Sequence, residues 1–193
     1  METITNKIIG YLDSDENIWD DVDRARMALG LQVLIHNFIM ISVILIIAQM
    51  VGIPGEAVIL LVAYGLLKIT AGGIHFKKSA TCLLGTGVFV IAGVLASRQL
   101  NISLSYMIFI YLICMFIFAI VGPQGTKNNP VSVENYKRLK KITVYIVFSY
   151  LLITIFMTLY FACKPYLLFV AVVFETVSVL PPYVKNGCSC IDD

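Results

Sequence analysis

Apolar residues gather in six long runs, at about 29–51, 56–71, 81–97, 104–122, 142–162 and 166–182, parted by short polar stretches. Each run is near the length of helix that crosses a bilayer, about 20 residues or a little fewer. The second and third are short for it, which predicts tilted helices or one partly re-entrant segment. Ahead of them, Ile4, Ile8, Tyr11 and Leu12 recur at helical spacing, and Ile18, Trp19 and Val22 form a second stripe beyond Asp13-Ser14-Asp15. This pattern fits an amphipathic helix pair on the membrane surface, or equally a solvated N-terminal helix. The predicted fold is all-α, a polytopic membrane helix bundle of about six apolar segments with an N-terminal amphipathic interfacial helix. It divides into an interfacial segment 1–26, an embedded bundle 27–183 and a tail 184–193.

Composition supports this reading. Of 193 residues, 59% are hydrophobic and 13% charged, whereas soluble domains carry about 25% charged residues. The net charge of +2 says little, but its distribution is informative. With a cytoplasmic N-terminus and six crossings, the inside holds Lys7, Arg24, Arg26, Lys68, Lys77, Lys78, Lys127, Lys137, Arg138, Lys140, Lys141 and Lys185; the outside holds only Arg98 and Lys164. Basic residues stay inside, so both termini and the stretch around His75 are expected in the cytoplasm. Residues 1–26 are acid-rich and lack the basic-then-apolar order of a cleavable signal. The five cysteines follow no disulfide framework. Cys114 and Cys163 read as small hydrophobes in or beside apolar runs, and Cys188-x-Cys190 in the tail could carry a lipid or bind metal, although two ligands are too few for a metal site. No metal, cofactor or nucleic acid is expected.

The candidate chemistry lies in Gly72-Gly73-Ile74-His75-Phe76-Lys77-Lys78-Ser79-Ala80-Thr81-Cys82. A histidine and a cysteine are the minimal set for nucleophilic catalysis: the imidazole takes the thiol proton and the thiolate attacks a carbonyl. In unbroken helix the seven-residue spacing of His75 and Cys82 would part them by about 10.5 Å along the axis, too far for a hydrogen bond. Glycine is a poor helix former and Ser79 a plausible N-cap. A turn or re-entrant stretch over 72–79 is therefore predicted, followed by a helix whose first turn carries Cys82. A helix N-terminus flanked by Lys77 and Lys78 is a setting in which reactive cysteines occur.

Other polar groups stand in apolar surroundings. Gln32, His36 and Asn37 lie in the first run; Gln32 or Asn37 could orient His75 or bind an oxyanion, or simply sit at a wet helix end. Glu175 lies inside the last run, where a carboxylate is protonated, paired or faced by water. The loop 123–141 begins with Pro123 and Pro130, reads as helix from Ser132, and ends in Lys137, Arg138, Lys140 and Lys141. That basic cluster reads either as an anchor on anionic lipid or, with Lys77 and Lys78, as a docking site for an acidic substrate tail.

Taken together these motifs resemble the accessory gene regulator B (AgrB) family of bacterial membrane cysteine endopeptidases. The resemblance is carried by Gly73-x-His75 with Cys82, by Arg26-x-x-Leu29-Gly30-x-Gln32-Val33-Leu34 with Asn37, by the Pro123–Pro130 loop and its basic sequel, and by Glu175 followed by Leu180-Pro181. It spans nearly the whole chain in the family's order, although Phe76 stands where a small residue is common. It implies that His75 and Cys82 are the catalytic pair of a thiol protease. The implied partner is an AgrD-type precursor of a cyclic quorum-sensing peptide, whose charged C-terminal tail is cut through an acyl-enzyme thioester before macrocyclisation. It also implies a homodimer in the bacterial cell membrane, for which helix faces with Gly85, Gly87 and Gly93 leave room.

Two other classes remain open on the residues alone. One is a small membrane transporter or peptide exporter with Glu175 on its path, although no internal repeat points to one. The other is a non-catalytic membrane adaptor in which Cys82 is an inert core residue.

Overall fold

The structure, a computed structural model, describes residues 21–73, 79–123, 133–161 and 165–186; for 21–25, 79–80, 133–134 and 182–186 only the helical backbone is described. Six helices result: α1 (Asp21–Val51), α2 (Pro54–Ala71), α3 (Ser79–Gln99), α4 (Leu104–Val121), α5 (Val133–Phe161) and α6 (Tyr166–Asn186). No strand occurs among the described residues. Five helices are long and apolar enough to cross a membrane, and α6 adds a shorter apolar stretch, Tyr166–Pro181. This is the multi-pass helical membrane protein that the apolar runs predict.

The second and third helices need no re-entrant segment. α2 has 18 residues and α3 has 21, about 27 and 31 Å at 1.5 Å per residue. The apolar run understated α2 because its first turn holds Pro54 and Gly55; proline is tolerated there, where its missing N–H would have had no helical partner. α5 begins well before its apolar run. Its 29 residues span about 43 Å, so the basic first turns project beyond a hydrocarbon core of about 30 Å.

The chain forms two compact units, Met1–Ile47 and Ala48–Asp193. The first is described as α1 alone; the interfacial segment expected at 1–26 lies outside the described residues up to position 20. In the second unit, α3, α2, α5 and α4 pack side by side in that order, and α6 touches all four. Its central place explains its composition: Glu175, Thr176 and Ser178 are buried on α6, facing protein instead of lipid. Around it α2 presents the stripe Ala57, Leu60, Ala63, Leu67 and Ala71, and α4 presents Met107, Tyr111, Cys114, Phe118 and Val121. The opposite face of α2, with Val58, Ile59, Val62, Leu66 and Ile69, is exposed, as suits a lipid-facing surface. Small residues let helices close up in lipid. A β-carbon on Gly93 would lie 2.9 Å from Leu60 Cδ2 and 3.3 Å from Val170 Cγ1. Gly93 is thus spent on packing within this chain, which corrects its assignment to a dimer face.

Polar contacts fix the ends. At one end Arg98 on α3 donates to Glu56 on α2, and the Tyr166 hydroxyl both donates to the Ile102 carbonyl (3.2 Å) and accepts from its N–H (3.1 Å). At the other end Tyr136 donates to the Val121 carbonyl at 3.4 Å. In between, Tyr150 donates to the Ala63 carbonyl at 3.1 Å, and Tyr111 bonds Thr154 at 3.1 Å. The helices of this unit therefore alternate in direction. Lys68, Lys137, Arg138, Lys140 and Lys141 fall at one end and Arg98 at the other, as the charge distribution predicts.

Candidate active site

The helix break expected in the Gly/His/Cys stretch is present. α2 ends at Ala71, and Gly72 and Gly73 follow with φ of +75° and +97°, a region costly for any residue with a β-carbon. Gly72 caps the helix by donating its N–H to the Lys68 carbonyl at 3.0 Å. α3 then begins at Ser79 itself, one position earlier than an N-cap role implies, and Cys82 sits in its first turn. Cys82 is partly buried. His75, Lys77 and Lys78 lie outside the described residues.

The turn rests on a polar cluster. A β-carbon on Gly73 would lie 2.7 Å from Ser178 Oγ, 3.2 Å from Lys68 Nζ and 3.3 Å from Glu175 Oε1. Only glycine lets the backbone come this close to three polar atoms of two helices. Ser178 donates to Glu175 Oε2 at 2.9 Å. Glu175 is fully buried, and its other oxygen, Oε1, has no hydrogen-bond partner among the described residues. Lys68 interacts electrostatically with both Glu175 and Cys82, and Tyr64, one turn earlier on α2, does the same. One side of the cluster is apolar: Phe89 stacks on Phe174 at 3.7 Å, and Tyr64 meets them at 4.9 and 5.6 Å.

The remaining predicted residues are spread over other elements. Gln32 and Asn37 lie on α1, the second of them exposed, in the first compact unit, Met1–Ile47. Lys137, Lys140 and Lys141 line an open groove of about 460 Å³ with Ala119, Val144 and Tyr145, and Arg138 is exposed beside them. Tyr136 anchors this basic turn, its hydroxyl filling the place that a β-carbon of Gly122 (φ +65°) would take. Sequence reasoning missed Lys68 and Ser178 as site residues. Lys68 counted only as one more inside charge. The available signal was its position, one turn before the glycine pair.

Fold and site together define a class: a polytopic helical membrane protein with a cysteine at a helix start, and a buried glutamate and a half-buried lysine meeting at the glycine turn before it. The family described as Accessory gene regulator B, AgrB, matches residues 5–179, and the chain belongs to that family. An Accessory gene regulator protein B of Staphylococcus aureus (strain bovine RF122 / ET3-1) is 23% identical over 184 residues, 94% of this chain and 96% of the relative. A Putative AgrB-like protein of Clostridium perfringens (strain SM101 / Type A) is 30% identical over 158 residues, covering 78% and 74%. A Putative AgrB-like protein 2 of Clostridium perfringens (strain 13 / Type A) is 28% identical over 158 residues, covering the same shares. No solved structure matches the chain.

Proposed function

We propose that this chain is a membrane cysteine endopeptidase that removes the charged C-terminal tail of an AgrD-type precursor peptide and closes the remainder into a ring. The observation that carries the reading is Cys82, partly buried in the first turn of α3, the helix that follows the Gly72–Gly73 break, and within electrostatic reach of Lys68. Family membership supplies the substrate class. His75 accepts the thiol proton, and the Cys82 thiolate attacks the carbonyl at the tail junction. The tetrahedral intermediate collapses as His75 returns the proton to the leaving amine. The tail departs and Cys82 holds an acyl thioester. An internal thiol (or hydroxyl) of the peptide attacks that thioester, giving a cyclic thiolactone (or lactone) and freeing Cys82. Exchange of one thioester for another is nearly balanced in free energy, so the ring forms where water is kept from the acyl-enzyme.

The end of the bundle bearing Lys68 and the α5 basic turn is assigned to the cytoplasm of a bacterial cell. There Lys77, Lys78, Lys137, Arg138, Lys140 and Lys141 receive the acidic tail, and Gln32 or Asn37 supplies an oxyanion donor. The working unit is a homodimer. Purified protein in lipid vesicles, given its precursor, is expected to release the tail and show an acyl adduct on Cys82 by mass spectrometry. Cys82→Ala and His75→Ala are expected to lower the rate by about 10³-fold or more. Normal cleavage by Cys82→Ala would overturn the reading.

One observation favours a second reading. A buried carboxylate beside an ammonium inside a membrane bundle also marks transport paths. An exporter predicts that Glu175→Gln abolishes peptide translocation while precursor cleavage continues at the wild-type rate.

A further inference from the structure

We infer that Glu175 is a positioning residue for the reaction: held by Ser178 and lying with Lys68 against Gly73, it pins the Gly72–Gly73 turn to α6 and so helps to set the first turn of α3 that carries Cys82. The inference rests on the cysteine-peptidase reading.

Charged side chains in apolar helices are costly and need a reason. Glu175 sits fully buried on the one helix that touches every other helix of its unit. It faces Lys68 and Tyr64 from α2; Cys82 of α3 interacts with the same two residues. Thr176, the next residue on α6, donates to the Val172 carbonyl of its own helix at 2.7 Å. Ser178 fixes the carboxylate through Oε2; Oε1, without a hydrogen-bond partner among the described residues, lies 3.3 Å from where a β-carbon of Gly73 would stand. Gly73 is the contact point of this arrangement. With no side chain, it lies against Lys68 Nζ, Glu175 Oε1 and Ser178 Oγ at once, so the backbone that leaves α2 is placed from α6. A hydrophobic residue at 175 would fill the same space without a directional hold on Lys68. Lys68 and Glu175 also couple the two helices in a testable way, because a polar group left in the bundle without its counterpart costs more than a site in which both are neutralised.

The experiment compares Glu175→Gln, Lys68→Met, the double variant and Ser178→Ala with wild type, all as full-length protein in lipid vesicles. Turnover of the precursor is divided by the amount of monodisperse, folded protein. In the same samples, the iodoacetamide labelling rate of Cys82 is followed by peptide-resolved mass spectrometry, with buried Cys114 as internal reference. Glu175→Gln and Lys68→Met are each expected to lower kcat by about tenfold or more with KM within about twofold, since a displaced nucleophile harms the chemical step more than binding. The neutral double variant is expected to recover to within about threefold of wild type. Ser178→Ala, the mildest change, loses about threefold in kcat. Labelling of Cys82 relative to Cys114 is expected to change by about threefold or more in Glu175→Gln.

Wild-type kcat in Glu175→Gln overturns the inference, as does a double variant whose loss is the product of the single losses. Loss of folded protein with unchanged turnover per folded molecule also overturns it, because it marks a purely structural pair. Cleavage that persists in Cys82→Ala overturns the peptidase reading instead. The labelling result then decides for Glu175 alone: equal labelling in wild type and Glu175→Gln removes it as a determinant of the cysteine's placement.

Discussion

A single β-carbon tests the contact between Gly73 and its three polar neighbours. Gly73→Ala meets a strained φ of +97° and a Ser178 Oγ 2.7 Å away, and is expected to cost about 1–3 kcal/mol. A lowered thermal midpoint in detergent and lost precursor cleavage would show it. Gly65, with nothing within 4 Å of its would-be β-carbon, serves as the control: Gly65→Ala is expected to be neutral or to stabilise by up to about 1 kcal/mol. A Gly73→Ala protein as stable and active as Gly65→Ala would show that the close approach is unimportant. At this scale the sequence is uneven. Cys82 and His75 stand out because their residue types are rare and closely spaced, and Glu175 stands out as a carboxylate in an apolar run. Lys68 does not, since it looks like any basic residue at an inner helix end. Only packing reveals that its side chain turns toward α6 and not toward lipid headgroups, and the same is true of the hydroxyl of Ser178.

Among the elements, the helices were legible almost to their ends because apolar run length is the strongest signal a membrane sequence carries. Where the reading stopped short, the reason is local. The start of α5 is helical but basic, so hydropathy hides it. α6 runs through Pro181 and Pro182; the prolines leave the Val177 and Ser178 carbonyls without their helical donors yet do not end the helix. What runs alone could not give is the packing order, and hence the central place of α6. Gly93 records that order, since it lets α3 reach both α2 and α6. Gly93→Val is expected to destabilise by about 1–3 kcal/mol through overpacking against Leu60 and Val170. Its thermal midpoint should fall, and Leu60→Ala should restore part of the loss by opening space. A Gly93→Val protein with an unchanged midpoint would contradict the packing described.

For the molecule as a whole, the alternating helix ends give a test of orientation. Alkaline phosphatase matures only where disulfides form, so in a Gram-negative host a fusion after Asn101 is expected to be active and one after Asn186 inactive. The reverse pattern would turn the protein over and put Cys82 on the outer face. The central position of α6 bears on how the protein is made. Chains leave the ribosome from their N-terminus, so the helix around which the others gather is synthesised after them. Until it arrives, α3, α2, α5 and α4 stand in the membrane with an inner face uncovered, and Gly73 lacks its contacts with Glu175 and Ser178. Translation itself then acts as a timer: a nascent chain carries Cys82 well before α6 is threaded into place beside it.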